Sequence, residues 1–309
     1  QNGWVYFTST AADVREKHLY RAPLQGGPAE QITTEKGQHQ IVLDHAKTRF
    51  VDTFTSLSQP VTVNLHSLPD GGTLKNLFTN QDPRLSDLDL PVPEMVTLTN
   101  RDGVTLYGAI YHPPASFGDG PHPTIVSVYG GPHAQRVINN FALTASMQDQ
   151  YLASLGFVVF RLDNQGSARR GLAFEGVIKH RMGIPEVQDQ VDGVKYLVER
   201  GLTDPQRVGI YGWSYGGYMS LMCLLQAPDV FTAAVAGAPV THYDGYDTHY
   251  TERYMSTPQL NPEGYEMGSA QHYVNQLRGK LLIIHGLIDE NVHFRSEERR
   301  VGKECRSRW

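Results

Sequence analysis

Gly212-Trp213-Ser214-Tyr215-Gly216-Gly217 is the segment of this sequence best suited to chemistry. A serine with a glycine two positions to either side marks a strand-to-helix turn with no room for side-chain bulk at the flanks. The neighbours supply that context. RVGIYG before it reads as a strand, and YMSLMCLLQAP after it as a buried helix. Such a turn lifts the Ser214 hydroxyl above a sheet. It also sets the amide of the next residue, Tyr215, where the oxyanion of an acyl-transfer intermediate would form. A glycine-rich turn with an incidental serine is the competing reading, and the flanking strand and helix argue against it.

A nucleophilic serine needs a base, and the base needs an orienting carboxylate. On an elbow of this kind the chain order is serine, acid, histidine. After Ser214, KLLIIHG reads as a buried strand that runs into LIDENVHF. Asp289 falls just past its C-terminal end, on the edge where functional groups gather in open α/β sheets. A carboxylate capping a helix that starts near Asn291 is the plainer alternative, and Glu290 is an adjacent, chemically equivalent competitor. Neither His285, on the strand before Asp289, nor His293, just after it, is far enough along to return over the sheet to Ser214. The catalytic histidine is therefore expected beyond Phe294 and is absent from this chain. Upstream, VYGGPHAQ (128–135) follows another buried strand, where a second oxyanion donor belongs. Tyr129 could donate its phenol hydroxyl there or be a core aromatic; the residues alone leave both open.

The elements that must position these groups follow from periodicity. From about Glu94 the chain alternates strands and helices. VTLTNRDGVTLYGAIYHPP forms a hairpin, TIVSVYGG a strand, and FALTASMQDQYLASLG a helix ending on Gly156. FVVFRLDN is a buried strand. VQDQVDGVKYLVERG is an amphipathic helix with Val187, Val191, Val194 and Leu197 on one stripe. TAAVAGAPV and KLLIIHG complete a parallel sheet of the α/β-hydrolase kind over 94–294. Residues 1–80 read instead as short strands separated by Gly-Gly turns, the C-terminal part of an all-β sandwich or propeller. Residues 81–93 are the polar, proline-containing linker. The segment 295–309, RSEERRVGKECRSRW, has no apolar face and resembles the conceptual translation of a sequencing-library adapter. It is expected to be non-native, with the real protein continuing past Phe294.

The remaining composition excludes more than it proposes. The 309 residues are 40% hydrophobic and 19% charged, a globular balance, and no apolar run approaches bilayer length. A net charge of −5 gives no reason to expect nucleic acid. No His/Cys/Asp cluster has ligand spacing, so no metal or organic cofactor is implied. Two cysteines, Cys223 and Cys305, make no disulfide framework, and compartment stays open.

GWSYGGYMS, YGGPHAQ, YDTHYTERYM and HGLIDENVHF together resemble the prolyl oligopeptidase family of serine peptidases, in its dipeptidyl peptidase IV branch, over nearly all of Gly3 to Phe294. The resemblance implies that the first portion is the last blades of a β-propeller. It implies Ser214 as nucleophile, Asp289 as triad acid, and Tyr129 as the partner of the Tyr215 amide in the oxyanion hole. It further implies Tyr246 and Tyr250 as walls of the pocket for the residue before the scissile bond, with Trp213 and Val240 as further walls. Asn291 would hold a substrate carbonyl together with a propeller arginine, absent here. The propeller glutamates that grip a free amino terminus are absent as well.

The expected substrates are peptides with proline, or more slowly alanine, at the penultimate position, released as dipeptides. A homodimer of the full-length parent is also implied by the branch. This chain itself, lacking the base, is expected to be nearly inactive and poorly soluble. The alternatives are another hydrolase activity (acylaminoacyl peptidase or esterase) and a non-catalytic binding protein.

Overall fold

The computed structural model describes residues 3–68 and 70–294; the tail 295–309, expected to be non-native, lies outside the described residues. The chain divides into two compact units. One comprises the residues up to Pro93 together with Val137–Gln150, the other Glu94–Arg136 together with the residues from Tyr151 on.

The first unit is antiparallel β. Strands β1 (Trp4–Ser9), β2 (His18–Pro23) and β3 (Glu30–Gln31) form one sheet. Strands β4 (Gln38–Leu43), β5 (Arg49–Thr55), β6 (Thr62–Ser67) and β7 (Thr73–Thr79) form a four-stranded meander. Burial alternates along β5, so Phe50, Asp52 and Phe54 face inward, as a two-residue period requires of a half-buried strand. The buried Asp52 carboxylate lies 2.6 Å from His39 Nδ1. Helix α1 (Pro83–Leu88) starts within the expected linker, capped by Asp82, whose carboxylate accepts from the Arg84 amide.

In the second unit, β8 (Glu94–Thr99) and β9 (Thr105–Tyr111) pair as the expected hairpin. Strands β10 (His122–Ser127), β11 (Val158–Asp163), β12 (Thr203–Trp213), β13 (Ala233–Gly237) and β14 (Lys280–Ile284) complete a sheet of order 14-13-12-10-11-9-8. All pairings among β10 to β14 are parallel. Their C-terminal ends therefore share one edge, where connecting loops bring functional groups together.

Two sequence expectations need correction. FALTASMQDQYLASLG is two helices, α2 (Phe141–Thr144) and α3 (Met147–Ser154). The chain breaks at Ala145 and Ser146, and the Ser146 hydroxyl donates to Asp149 to open the second piece. KLLIIHG is not a buried strand. Among the described residues β14 pairs only with β13, at the end of the sheet order, and keeps Leu282 and Ile284 about half exposed.

The remaining helices are α4 (Leu172–Glu175), α5 (Pro185–Glu199), α6 (Tyr215–Gln226), α7 (Thr248–Met255) and α8 (Pro262–Met267). Helix α6 is buried along nearly its whole length. Helix α5 packs against both α6 and β12. Its buried residues include the expected Val187, Val194 and Leu197, but also Glu186, Asp189 and Gln190.

Candidate active site

Strand β12 ends at Trp213 and α6 begins at Tyr215, leaving one residue to make the turn. Ser214 makes it with φ 58 and ψ −118, a conformation that costs a non-glycine residue about 1–3 kcal/mol. Neighbouring backbone holds it there. The Ser214 amide donates to the Gly237 carbonyl at 2.9 Å, and the Ser214 carbonyl accepts from the Tyr218 amide at 3.0 Å. The flanking glycines are required by packing. A Cβ on Gly212 or Gly216 would run into the Val128 carbonyl, and one on Gly217 into that of Gly237. The elbow is thus wedged between the ends of β10 and β13.

Tyr215 opens α6, so its amide is among the helix-start donors without an intrahelical acceptor. Tyr129 follows β10 and is half-buried, its ring centroid 6.1 Å from that of Tyr215. Burial pushes its phenol above the ordinary tyrosine value, so it stays protonated and able to donate. Gly131 lets the loop fold beneath both rings, since a Cβ there would sit 2.6 Å from the Tyr215 ring.

The segment after β13 and helix α7 carry the aromatics. Tyr246 and Tyr250 meet edge to face, centroids 5.5 Å apart at 90°, and Tyr254 continues the row at 5.0 Å from Tyr250. Burial pushes the Tyr250 phenol up, so it too remains neutral. Val240 is buried, whereas Trp213 is 57% exposed and lies against Gly237. The sequence reading missed Tyr254, whose hydroxyl hydrogen-bonds the His133 ring. That bond joins α7 to the loop carrying Tyr129, and no local sequence signal announces it.

The loop after β14 carries Asp289, the expected acid. Asp289 Oδ1 accepts from the amides of Asn291 at 3.0 Å and Val292 at 2.9 Å. These bonds hold its carboxyl below the usual carboxylate range. His285 is spent on the same loop: its Nε2 donates to the Val292 carbonyl at 2.7 Å and lies 3.7 Å from Asp289 Oδ2. Glu290, the competitor for the acid, is exposed, as is His293. Asn291 accepts at Oδ1 from the Tyr246 hydroxyl at 3.2 Å, which leaves its amide hydrogens to donate elsewhere.

The model of the prolyl oligopeptidase family matches residues 143–303. That of the dipeptidyl peptidase IV N-terminal region matches residues 1–61. Dipeptidyl peptidase 8 of Homo sapiens is 40% identical over 301 residues, covering 94% of this chain and 34% of that protein. Probable dipeptidyl-aminopeptidase B of Aspergillus clavatus is 31% identical over 309 residues, covering 96% and 33%. The crystal structure of Porphyromonas gingivalis dipeptidyl peptidase 4 matches with a TM-score of 0.87 at 29% identity, covering 96% of this chain and 42% of that one. The chain thus spans about a third of the length of these curated relatives. Its β unit consists of β-propeller blades, and its second unit has the α/β-hydrolase fold.

Proposed function

This chain belongs to the prolyl oligopeptidase family, and we propose that its parent protein is a serine peptidase that cleaves after proline or alanine and releases N-terminal dipeptides. The observation that carries the reading is the strained Ser214 elbow on the same sheet edge as Tyr129 and the crossed Tyr246–Tyr250 pair. The names of the relatives, dipeptidyl peptidase and dipeptidyl-aminopeptidase, support it.

Ser214 attacks the carbonyl of the penultimate residue while a histidine imidazole takes its proton. Asp289, fixed by two backbone amides, holds that imidazole in the right tautomer. The Tyr215 amide and the Tyr129 hydroxyl receive the oxyanion, a contribution of about 2.7–4 kcal/mol per donor. Water then resolves the acyl-enzyme. The flat faces of Tyr246 and Tyr250 suit a proline ring, which offers apolar surface and no amide hydrogen. The Asn291 amide, oriented by Tyr246, donates to the preceding substrate carbonyl.

The 309-residue chain by itself is expected to be nearly inert, because among the described residues no histidine hydrogen-bonds the Ser214 hydroxyl. The reading is tested on the full-length gene product with glycyl-prolyl-p-nitroanilide, an acetylated analogue and a simple ester. Turnover of the first with rejection of the acetylated analogue supports dipeptide release. Ester turnover without cleavage of the first overturns the peptidase assignment.

A further inference from the structure

Helix α5 carries three acidic or amide side chains where an amphipathic helix would present apolar ones. Glu186 is 0% exposed, Gln190 1% and Asp189 2%. Apolar residues of similar volume would be cheaper to bury, because a polar group gains only what its partners return. The partners lead to the site.

The Tyr215 hydroxyl donates to Glu186 Oε1 at 2.6 Å, and the Gly183 amide donates to Oε2 at 2.9 Å. One turn on, Gln190 Nε2 donates to Asn164 Oδ1 at 2.8 Å. Asn164 Nδ2 in turn donates to the Gly130 carbonyl at 2.9 Å. Gly130 follows Tyr129 directly and takes φ 74, and a Cβ there would sit 2.8 Å from Asn164 Oδ1.

We propose that Glu186 and Gln190 are positioning residues for the two oxyanion donors. Glu186 acts through the Tyr215 ring, and Gln190 through Asn164 and the Gly130 carbonyl. The inference rests on the reading of the Tyr215 amide and Tyr129 hydroxyl as those donors. Because the two carriers of the oxyanion hole come from different strand ends, their spacing is not fixed by either strand. One rigid helix that grips both fixes it. The Glu186 bond holds the first turn of α6 by its side chain, which orients the amide of the same residue. The Gln190 relay pins the peptide after Tyr129, which sets where its phenol reaches. Asp189 steadies the frame: its Oδ2 accepts from the Gln165 amide at 2.7 Å and its Oδ1 from Asn100 Nδ2 at 2.7 Å. Burial raises the Glu186 carboxyl to about 7, consistent with a group kept in place despite an unfavourable setting.

The test uses the full-length protein with Tyr215→Phe, Gln190→Met and Glu186→Gln, each conserving volume. Lys195→Ala, on the exposed side of α5, is the control. Rates with glycyl-prolyl-p-nitroanilide are normalised to active sites titrated with a fluorophosphonate, so that partial unfolding does not count as lost catalysis. Affinity is measured for a proline boronate, which forms a tetrahedral adduct, and for the free dipeptide product.

The expected result for Tyr215→Phe and Gln190→Met is a fall in kcat on the order of 10- to 100-fold with KM nearly constant, the mark of a group acting only in the transition state. Boronate affinity should fall by the same factor while product affinity and the control stay unchanged. Full kcat per titrated site, whatever happens to Tm, overturns the positioning roles. A wild type that neither labels nor turns over the substrate contradicts the functional reading instead, and is told apart by that behaviour.

Discussion

Tyr246 donates its phenol hydrogen to the side-chain carbonyl of Asn291 at 3.2 Å. The bond joins the aromatic wall after β13 to the acid-bearing loop after β14. In the proposed mechanism it also fixes which way the Asn291 amide points. Tyr246→Phe should therefore weaken substrate handling even though the ring proposed to pack against proline remains. The expected loss for Tyr246→Phe or Asn291→Ala is about 10-fold in kcat/KM, one hydrogen bond's worth. The double variant should lose little more than either alone, which a double-mutant cycle reads directly.

Tyr129→Phe tests the proposed second oxyanion donor. Deleting one such donor costs on the order of 10²–10³ in kcat. Steady-state kinetics should show that drop with KM almost unchanged. A rise in KM at constant kcat would identify Tyr129 as a ground-state contact.

Gly216→Ala tests the wedge. The added methyl meets the Val128 carbonyl and the Tyr129 Cα, both backbone and unable to rotate away. Overpacking of this kind costs about 1–3 kcal/mol or more. Calorimetry should show a lower Tm together with lost activity, since the elbow must shift to make room.

Buried carboxyls on α5 give stability a definite pH dependence. Burial raises Glu186 from 4.5 to about 7, and Asp189 from 3.8 to about 6. No cation pairs with Glu186 among the described residues; Asp189 and the hydroxyls of Tyr215, Tyr218 and Tyr243 face it. A folded-state value above the unfolded one means the folded protein holds the proton more tightly. The contribution is fully present below the unfolded value and is lost as pH rises through the folded one. Unfolding free energy should thus decline between about pH 4 and 7, by roughly 3 kcal/mol from Glu186 alone. Glu186→Gln should flatten the upper part of that slope. A Glu186→Gln slope identical to that of the wild type would contradict this account of the Glu186 carboxyl.

Much of the architecture was legible from local pattern. Apolar runs ending in glycine-rich turns marked β10 and β12, and Gly-x-Ser-x-Gly marked Ser214, because both signals are confined to a few consecutive residues. The α5 network was not legible. An amphipathic pattern marks only the apolar stripe, so nothing local announces that Glu186, Asp189 and Gln190 are buried where α5 packs against α6 and β12. The exposure of β14 was hidden for a related reason. Its apolar residues suit a covered strand, and its place at the end of the sheet order depends on pairings made far away in sequence. The Tyr254–His133 bond joins residues on separate elements, and no spacing rule reaches that far.

The central claim is that Ser214 is the acyl-accepting nucleophile. The most direct measurement is fluorophosphonate labelling of the full-length protein, with the modified residue located by peptide mass and hydrolysis of glycyl-prolyl-p-nitroanilide followed in parallel. A single adduct on Ser214, with labelling and turnover both abolished in Ser214→Ala, is the predicted result. Turnover that survives Ser214→Ala, or a full-length protein inert in both assays, would contradict it.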